Sequence, residues 1–364
     1  MYWNDVSLDL GYMSSSTLTQ IPRTDPTPIF EMFRWRYASN LLTGAVAHFG
    51  LFDLLSGGPL PDEVLRDKLE LQQRPFLVLV TALKAMGLIR ENVDRTIELN
   101  PVACEHLDSK GDFYVGDYLG LAADSPEVIE LVDRLKTNRP ADIDNKGTAF
   151  IYRSGEKSAM EQSELARHFT LSLAGRARNV APALAEKLDL SGVDHLVDVA
   201  GGSGIYSLAL LEKNPKLEIT LVDLPEVLNI ANELAEKHTA RDRLHLVEGD
   251  MFNWHPPSTT EVFLFSNIFH DWDVSECQKL MSKYSDALCD QGRMIVHDVF
   301  LNDQLDGPLP VALYSTALFT LTEGRAYSVA EYRKWMETAQ LEVSGPIETL
   351  VHCGILTGVK GGRR

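Results

Sequence analysis

The sequence predicts an α/β fold in which a parallel sheet follows a mainly helical N-terminal region. Two observations support it: short apolar runs recur in the second half of the chain, and helix-like stretches separate them. Runs of this length are typical of buried parallel strands. We predict strands at 196–199, 217–221, 244–247, 262–266 and 293–298, followed by a helix at 329–339 and strands at 341–343 and 350–356. A chain of 364 residues is long enough for two domains.

The first predicted strand runs into a glycine-rich turn that contains Gly201, Gly202 and Gly204. Glycine allows the positive φ and the close backbone approach that such a turn needs. A helix-like stretch at 206–212 follows, and the order strand, glycine loop, helix is that of a nucleotide-binding unit. The sequence therefore predicts that a cofactor binds against this turn.

Three acidic residues indicate which cofactor this is. Asp223 ends the second strand, where a carboxylate can accept both ribose hydroxyls, and Asp250 follows the third strand beside Met251, where it could accept from an adenine amino group. Asp198 would place a negative charge near a pyrophosphate, and Ser207 fits the dinucleotide fingerprint only loosely. Carboxylates at strand ends suit a nucleoside that carries a positive charge, and S-adenosylmethionine, a sulfonium compound, is such a molecule.

The motifs DVAGGSG, LVDLPEV, GDMF and FSNIFHDW occur in this order along the chain. Together they resemble the small-molecule O-methyltransferases of plant and bacterial secondary metabolism, and the similarity covers nearly the whole chain after about residue 28. The resemblance implies a class I methyltransferase domain with a Rossmann-like seven-stranded sheet, S-adenosylmethionine as methyl donor, and a homodimer formed through the N-terminal domain. The implied acceptor is a hydroxyl of a small aromatic or polyketide-like metabolite.

The resemblance also implies that His270 of the HDW motif is the general base. A phenol has a pKa of about 10, and a neutral imidazole can take its proton as the oxygen attacks. Asp298, at the end of the fifth strand, is the candidate partner of this imidazole, and Asp271 is expected to orient the substrate or to cap the next helix. Ala326 stands where the family has a second carboxylate, for which Glu323 could substitute. A role for the histidine as a hydrogen-bond donor alone stays open.

The remaining site predictions concern the walls of the cavity. We expect the cofactor to contact Asp198, Gly201, Gly202, Gly204, Asp223, Leu224, Asp250, Met251, Phe252, Ser266 and Asn267. We expect the acceptor to contact Phe150, Met160, Phe169 and Leu173. His297 is interpreted as a buried histidine beside the site. No metal site is predicted, because the four cysteines are dispersed and the acidic residues and histidines match no common ligand spacing.

The N-terminal region is predicted to be a winged-helix domain. Apolar residues recur every four positions from 29 to 45 and indicate one helix that begins at Thr27 and stops at Gly50. Helix-like stretches at 61–69 and 74–86 then lead into short strands at 88–90 and 97–99. The second of these helices is so apolar that we expect another subunit to bury it.

The predicted domain limits follow from these patterns. We expect a flexible N-terminal arm at 1–26, a winged-helix dimerisation domain at 27–110, a helical connector at 111–190 that contributes to the substrate pocket, and a catalytic domain at 191–364.

Charge and composition exclude several other functions. The chain has 34 basic and 52 acidic residues, a net charge of -18, whereas binding to nucleic acid needs clustered Lys and Arg. No apolar run approaches the ~20 residues of a membrane span, and no secretory signal is evident, so we expect a cytoplasmic protein. Two alternatives stay open: a protein of this fold that methylates N or C acceptors or binds the cofactor without methyl transfer, and, more remotely, a nicotinamide-dependent oxidoreductase.

Overall fold

The structure is a computed structural model that describes residues 17–139, 160 and 162–362. Its helices are α1 (Thr27–Arg34), α2 (Arg36–Ala47), α3 (Leu51–Ser56), α4 (Asp62–Lys68), α5 (Gln73–Ala85), α6 (Pro101–His106), α7 (Gly116–Gly120), α8 (Pro126–Thr137), α9 (Ser163–Lys187), α10 (Ile205–Lys213), α11 (Pro225–Ala235), α12 (Val274–Ala287), α13 (Leu309–Leu321) and α14 (Val329–Thr338). Its strands are β1 (Leu60–Pro61), β2 (Ile89–Glu91), β3 (Thr96–Leu99), β4 (His195–Val199), β5 (Glu218–Asp223), β6 (Leu244–Glu248), β7 (Thr260–Ser266), β8 (Leu288–Leu301), β9 (Tyr327–Ser328), β10 (Leu341–Glu348) and β11 (Cys353–Lys360).

The C-terminal half is built on the predicted seven-stranded sheet, which is confirmed. Its strand order is β10-β11-β8-β7-β4-β5-β6, and the short strand β9 pairs with β8 outside this path. The strands from β4 to β8 run parallel, whereas β11 is antiparallel to both β8 and β10. The carboxyl ends of the parallel strands therefore meet at one edge, where ligands bind in open α/β sheets.

The central strands bury both of their faces. Along β4, Leu196 belongs to the apolar core that includes α9 and α10, whereas Val197 belongs to the core on the opposite face, which includes α12 and α14. Leu264 and Phe265 of β7 divide between the same two cores. Because successive side chains of a strand point to opposite faces, a continuous apolar run is what a strand between two helical layers needs.

The last strand begins later than predicted. We expected it at 350–356, but β11 starts at Cys353. Val351 and His352 have φ values of 56° and 61° and form a left-handed turn that reverses the chain between the last two strands. Non-glycine residues rarely adopt this conformation. Leu350 and Val351 are apolar, as in a buried strand, so the sequence pattern did not indicate the turn.

The N-terminal half has the predicted order of elements, with the helices α4 and α5 followed by the hairpin of β2 and β3. The prediction of one helix from Thr27 to Gly50 is wrong. The amide of Trp35 donates to the carbonyl of Met32, only three residues earlier, and this tighter turn separates α1 from α2. The apolar stripe is divided as a result: Tyr37 and the apolar residues after it are buried, whereas those of α1 are exposed.

The apolar helix α5 is buried inside its own chain, which corrects our expectation that another subunit covers it. It packs against α2 and α8 of the N-terminal half and against α13 of the C-terminal half. Arg74, in its first turn, donates to the carbonyl oxygens of Thr322 and Gly324 at 2.9 and 3.1 Å. This helix therefore connects the two halves of the molecule and offers no surface to DNA.

The described part of the predicted N-terminal arm contacts the C-terminal half. Leu18 is buried, and the amide of Thr19 donates to Glu212 of α10 at 3.1 Å. Within the described residues, no helix is both long enough and apolar enough to cross a membrane.

Candidate active site

The glycine-rich turn after β4 packs so tightly that a larger residue would not fit at its start. A Cβ atom on Gly201 would lie 2.7 Å from Oδ2 of Asp198 and 2.7 Å from Cγ of Leu221. Gly202 and Gly204 have φ values of 58° and 72°, which glycine adopts at little cost. Gly201 and Gly202 therefore present their backbone to a cavity at this edge of the sheet.

Asp198 lies beneath this turn and does not line the cavity. It is 1% exposed, its Oδ2 accepts from the hydroxyl of Ser207 at 2.6 Å, and its Oδ1 has no partner among the described residues. Burial raises its pKa to about 7. Gly204 is also absent from the lining. It caps the N-terminus of α10, and a Cβ atom there would lie 3.3 Å from Cδ1 of Leu221. We had expected both residues to contact the cofactor, and the structure gives them this supporting place instead.

The other predicted cofactor residues all line one cavity at the carboxyl edge of the sheet. They are Gly201, Gly202, Asp223, Leu224, Asp250, Met251, Phe252, Ser266 and Asn267. Several segments distant in sequence meet here because each follows a parallel strand of the same sheet.

Two carboxylates of this cavity are held by the backbone of their own turns. Asp223 accepts from the amides of Gly202 and Leu224 at 2.8 and 2.7 Å, and burial raises its pKa to about 6. Asp250 accepts from the amide of Phe252 at 3.0 Å and from the side chain of Asn253 at 2.6 Å. A carboxylate oxygen has two lone pairs, so both residues can still accept from a ligand.

An aromatic wall completes this end of the cavity. The rings of Phe252 and Trp272 meet edge to face with centroids 4.8 Å apart, and Met251 is 8% exposed beside them. Carboxylates for ribose hydroxyls, an apolar wall for a purine and a close backbone turn fit the predicted S-adenosylmethionine.

His270 is held by Asp298, as predicted. Nδ1 of the imidazole lies 2.5 Å from Oδ1 of Asp298, which also accepts from the amide of Val299 at 2.8 Å. The other oxygen, Oδ2, accepts from the hydroxyl of Tyr332 at 2.9 Å. All three side chains are buried, and His270 is 3% exposed. The imidazole therefore has a fixed orientation, with Nδ1 facing the carboxylate.

The backbone around His270 is equally constrained. A short 3₁₀ turn over Phe269–Asp271 follows β7. A Cβ atom on Gly324 would lie 2.2 Å from the carbonyl oxygen of His270, so only glycine allows the segment before β9 to pack here. The amide of Glu323 donates to the carbonyl of Asp271 at 3.1 Å. The Gly324 segment thus holds the HDW motif through the backbone.

Asp271 supplies the second carboxylate near the imidazole. Its Oδ1 lies 3.7 Å from Nε2 of His270, and it lines the cavity. Burial raises the pKa of Asp271 to about 7. For His270, burial alone would lower the pKa, but Asp298 and Asp271 outweigh it and the net shift is upward. The cap of the next helix, α12, is Asp273, so Asp271 does not have that role.

The position at which the related family has a second carboxylate is part of the apolar core in this chain. Ala326 is fully buried in the apolar core, and its amide donates to Ser315 at 3.1 Å. His297 is buried as expected, with Nδ1 2.8 Å from Oγ of Ser266, and burial lowers its pKa to about 3. It is therefore a neutral hydrogen-bonding residue at ordinary pH.

The predicted acceptor residues lie on one side of the cavity. Met160, Phe169 and Leu173 line it, whereas Phe150 lies outside the described residues. Among the described residues, no three His, Cys, Asp or Glu side chains form a group that could hold a metal ion.

The sequence analysis missed three polar residues of the lining, Arg176, Ser203 and Tyr206. Arg176 lies on α9 between Ala174 and Ala177, which are both buried. A charged residue on a face that is otherwise small and apolar was the available signal, but only apolar residues of this helix were considered as pocket residues.

Comparisons with known proteins agree with this geometry. The family model of the O-methyltransferase domain matches residues 143–341. The crystal structure of an O-methyltransferase family 2 protein from Planctomyces limnophilus in complex with apigenin is 42% identical, with a TM-score of 0.85, and covers 95% of this chain and 99% of that one.

Two curated bacterial enzymes are also similar over most of the chain. The 3-hydroxy-5-methyl-1-naphthoate 3-O-methyltransferase of Streptomyces sahachiroi is 29% identical over 86% of this chain and 89% of its own length. The L-tyrosine C(3)-methyltransferase of Streptomyces lavendulae is 26% identical over 81% of each chain.

Proposed function

The chain belongs to the O-methyltransferase domain family and is an S-adenosylmethionine-dependent O-methyltransferase, and we propose that His270 takes the proton from the hydroxyl of its acceptor. The observation that carries this assignment is the buried hydrogen bond of 2.5 Å between the imidazole and Asp298. The acceptor is a small aromatic or polyketide-like hydroxy compound. The naphthoate methyltransferase and the protein crystallised with apigenin, both described above, support this class.

The residues that would hold the cofactor are those of the strand ends. Gly201 and Gly202 offer backbone, Asp223 accepts from hydroxyl groups, and Phe252 with Met251 packs against a flat ring. When bound, S-adenosylmethionine supplies an electrophilic methyl group on a sulfonium. The protein then has to bring an acceptor oxygen to that carbon and remove its proton.

The proton has a defined destination. Because Nδ1 of His270 donates to Asp298, the lone pair of the neutral ring is on Nε2. In methyl transfer the O–H bond of the acceptor would break and its proton would go to Nε2. The acceptor oxygen would bond to the methyl carbon that the sulfonium supplies, and that carbon's bond to sulfur would break, so that the sulfur leaves as the thioether of S-adenosylhomocysteine. The imidazolium that results lies between two carboxylates, with Asp271 3.7 Å from Nε2. Asp271 lines the cavity and His270 does not, so the hydroxyl has to approach Nε2 beside the Asp271 carboxylate.

A His270→Gln variant tests this role, because glutamine can hydrogen-bond but cannot take a proton at neutral pH. We expect kcat for a phenol of pKa about 10 to fall by about 10²- to 10⁴-fold. Release of S-adenosylhomocysteine gives the rate, and the product's NMR spectrum identifies the methylated atom. An unchanged rate at pH 7 would leave the histidine a hydrogen-bond donor only. A product methylated on nitrogen or carbon would contradict the acceptor assignment.

We also propose that the chain forms a homodimer through α1. Four apolar side chains within this short region are largely exposed: Ile29 at 67%, Met32 at 65%, Phe33 at 69% and Trp35 at 61%. A contiguous exposed apolar patch of this kind marks a protein interface. Light scattering of Phe33→Asp should show a monomer. The matched control Val93→Asp, at the exposed tip of the β2–β3 hairpin, should remain a dimer.

The domain limits and the cellular location are further parts of the proposal. The apolar core of the N-terminal half includes Leu131 and Leu135 of α8, so the proposed connector at 111–190 shares the core of the proposed winged-helix domain at 27–110. The catalytic domain at 191–364 contains the whole seven-stranded sheet.

All four cysteines are free thiols, which supports a cytoplasmic location.

A further inference from the structure

Two arginines from distant parts of the chain converge on one tyrosine ring. The guanidinium carbon of Arg34, at the end of α1, lies 3.8 Å from the centre of the Tyr314 ring. The guanidinium carbon of Arg176, on α9, lies 5.9 Å from the same centre. Arg34 is 4% exposed, and Arg176 lines the cavity. Two cations are therefore brought together in the interior of the protein.

Each guanidinium has a donor without a partner. Arg176 donates to Oδ1 of Asn267 at 2.9 Å and to the sulfur of Cys353 at 3.0 Å, but its Nε has no acceptor among the described residues. Nη1 of Arg34 is likewise buried without an acceptor in the described part of the chain. A buried donor that lacks a partner is costly, so these positions point to a missing group.

Neither guanidinium forms an ion pair with a carboxylate of the described residues. Glu31, the carboxylate whose charge acts on Arg34, instead contacts Nε2 of His352 at 2.6 Å. Burial raises the pKa of the Cys353 thiol, so the sulfur beside Arg176 is neutral. Arginine stays protonated in proteins, and buried charges are normally paired. An uncompensated cationic pair inside a chain of net charge -18 indicates a site for an anion.

The pair lies close to the proposed proton acceptor. The Tyr314 ring that stacks with Arg34 also meets the His270 ring edge to face, with centroids 5.7 Å apart. Phe169 and Leu173 of α9 line the cavity together with Arg176. An anion held here would belong to a molecule whose hydroxyl faces His270 and whose ring packs on apolar side chains.

We propose that Arg34 and Arg176 bind a carboxylate of the acceptor, so that the substrate is a hydroxy-aryl carboxylate; this deepens the proposed function and rests on it. The planar fork of a guanidinium matches a carboxylate in a bidentate manner, and Nε is one of the donors of that fork. The carboxylate of the cofactor's amino-acid part has the same chemistry. Arg34 distinguishes the two sources, because its guanidinium lies on the Tyr314 ring, which contacts the His270 ring, and Arg34 is not part of the lining at the glycine turn.

The test compares hydroxynaphthoates with their methyl esters, which differ only in charge. Binding to the complex of the protein with S-adenosylhomocysteine is measured by calorimetry, and kcat/KM is measured where turnover occurs. We expect the wild-type protein to prefer the free acid by about tenfold to a hundredfold. Arg34→Met and Arg176→Met should reduce this preference to within about twofold, while affinity for S-adenosylhomocysteine stays unchanged in Arg34→Met. Equal binding of acid and ester by the wild-type protein would overturn the proposal.

Arg243→Met is the matched control, because Arg243 donates to three backbone carbonyls, those of Leu211, Asn214 and Leu217. It should keep the preference for the acid but lower the melting temperature. Arg34→Met should melt at the same or a higher temperature, since it removes an uncompensated buried charge. A lower melting temperature for Arg34→Met would assign it a structural role and overturn the proposal.

Two further outcomes separate the remaining explanations. If both arginine variants bind S-adenosylhomocysteine more weakly but bind its decarboxylated analogue as the wild type does, the anion is the cofactor's carboxylate and the proposal is wrong. If the acids bind in an arginine-dependent manner but no methyl transfer occurs with any of them, the anion site stands and the proposed function fails.

Discussion

The two ends of the cavity differ in how their polar groups are satisfied. At the cofactor end, Asp223 and Asp250 accept hydrogen bonds from amides of their own turns. At the acceptor end, Arg34 and Arg176 come from helices far apart in sequence, and each keeps a buried donor without a partner in the described chain. The first end is formed by local sequence, and the second is completed only when a ligand arrives.

The two ends also carry opposite charge. Acidic side chains surround the place proposed for a sulfonium, whereas guanidinium groups surround the place proposed for a carboxylate. His270 lies between them, with Asp298 on one nitrogen and Asp271 near the other. If this comparison is right, substitutions at one end should change the binding of one ligand only. Substitutions at His270 or its partners should change kcat.

The largest expected effect comes from Asp298→Asn. An amide at this position no longer requires Nδ1 of His270 to carry the proton, so the ring can present the wrong nitrogen to the acceptor. We expect kcat to fall by about 10²- to 10⁴-fold, while the dissociation constant of S-adenosylhomocysteine stays the same. Stopped assays with saturating cofactor measure the first quantity and calorimetry the second.

Tyr332→Phe is the control for this experiment. It removes the hydroxyl that donates to Oδ2 of Asp298 and leaves the contact of Oδ1 with His270 intact. Its loss of kcat should be well below that of Asp298→Asn. A fall in cofactor affinity as large as the fall in kcat would show that the two ends of the cavity are not separable.

The next effect concerns the cofactor end. Asp223→Asn turns one acceptor oxygen into a donor that faces the amide of Gly202 or of Leu224. The hydrogen bonds that hold the glycine turn and those to the hydroxyl groups of the ligand should both weaken. We therefore expect the dissociation constant of S-adenosylhomocysteine to rise by about tenfold or more. The preference for acidic over esterified acceptors should be unchanged. Loss of that preference would contradict the division into two ends.

What the sequence could predict follows the same division. The glycine turn, Asp223 and Asp250 lie next to strands that the apolar pattern already locates, so their neighbours in space are fixed by the sheet. The pair of His270 and Asp298 was predicted from the family resemblance. The two residues meet because His270 follows β7 and Asp298 lies in β8, the parallel strand beside it. Arg34 and Arg176 were not predicted. The place of Arg176 on a small apolar helix face was an available signal, but its meeting with Arg34 on the Tyr314 ring depends on tertiary contacts that no local pattern encodes.

Asp198 shows the limit of the local argument. Its place at the end of β4 was correct, but the direction of its side chain was not, because the turn folds back over it and Ser207 takes one oxygen. Of the two roles expected for Asp271, the helix cap is wrong, because Asp273 caps α12. Orientation of the substrate stays a prediction, and the Asp271 carboxylate lies 3.7 Å from Nε2 of His270.

The third prediction concerns pH. Asp298 and Asp271 together raise the pKa of His270, and the proton acceptor has to be neutral, so kcat/KM should fall as the pH drops through this raised pKa. Removing one charge with Asp271→Asn should move the acidic limb of the profile to lower pH. Rates between pH 5.5 and pH 9 with an acceptor that does not titrate in this range test the shift. An unmoved limb would mean that another group controls it.

The smallest effect should come from Asp198→Asn, beneath the glycine turn. Burial raises the pKa of this carboxyl to about 7 from 3.8, so the folded protein holds a proton there that the unfolded chain releases. Its contribution to stability is complete below pH 3.8 and is lost as the pH rises through about 7. The protein without ligand should therefore melt at a lower temperature at pH 8 than at pH 6. The asparagine variant should melt a few degrees higher than the wild type at pH 8, since a neutral amide is cheaper to bury than an unpaired charge. Equal melting temperatures of the two proteins across this range would mean that the Asp198 carboxylate has a compensating partner. The unsatisfied groups would then lie only at the acceptor end, at Arg34 and Arg176.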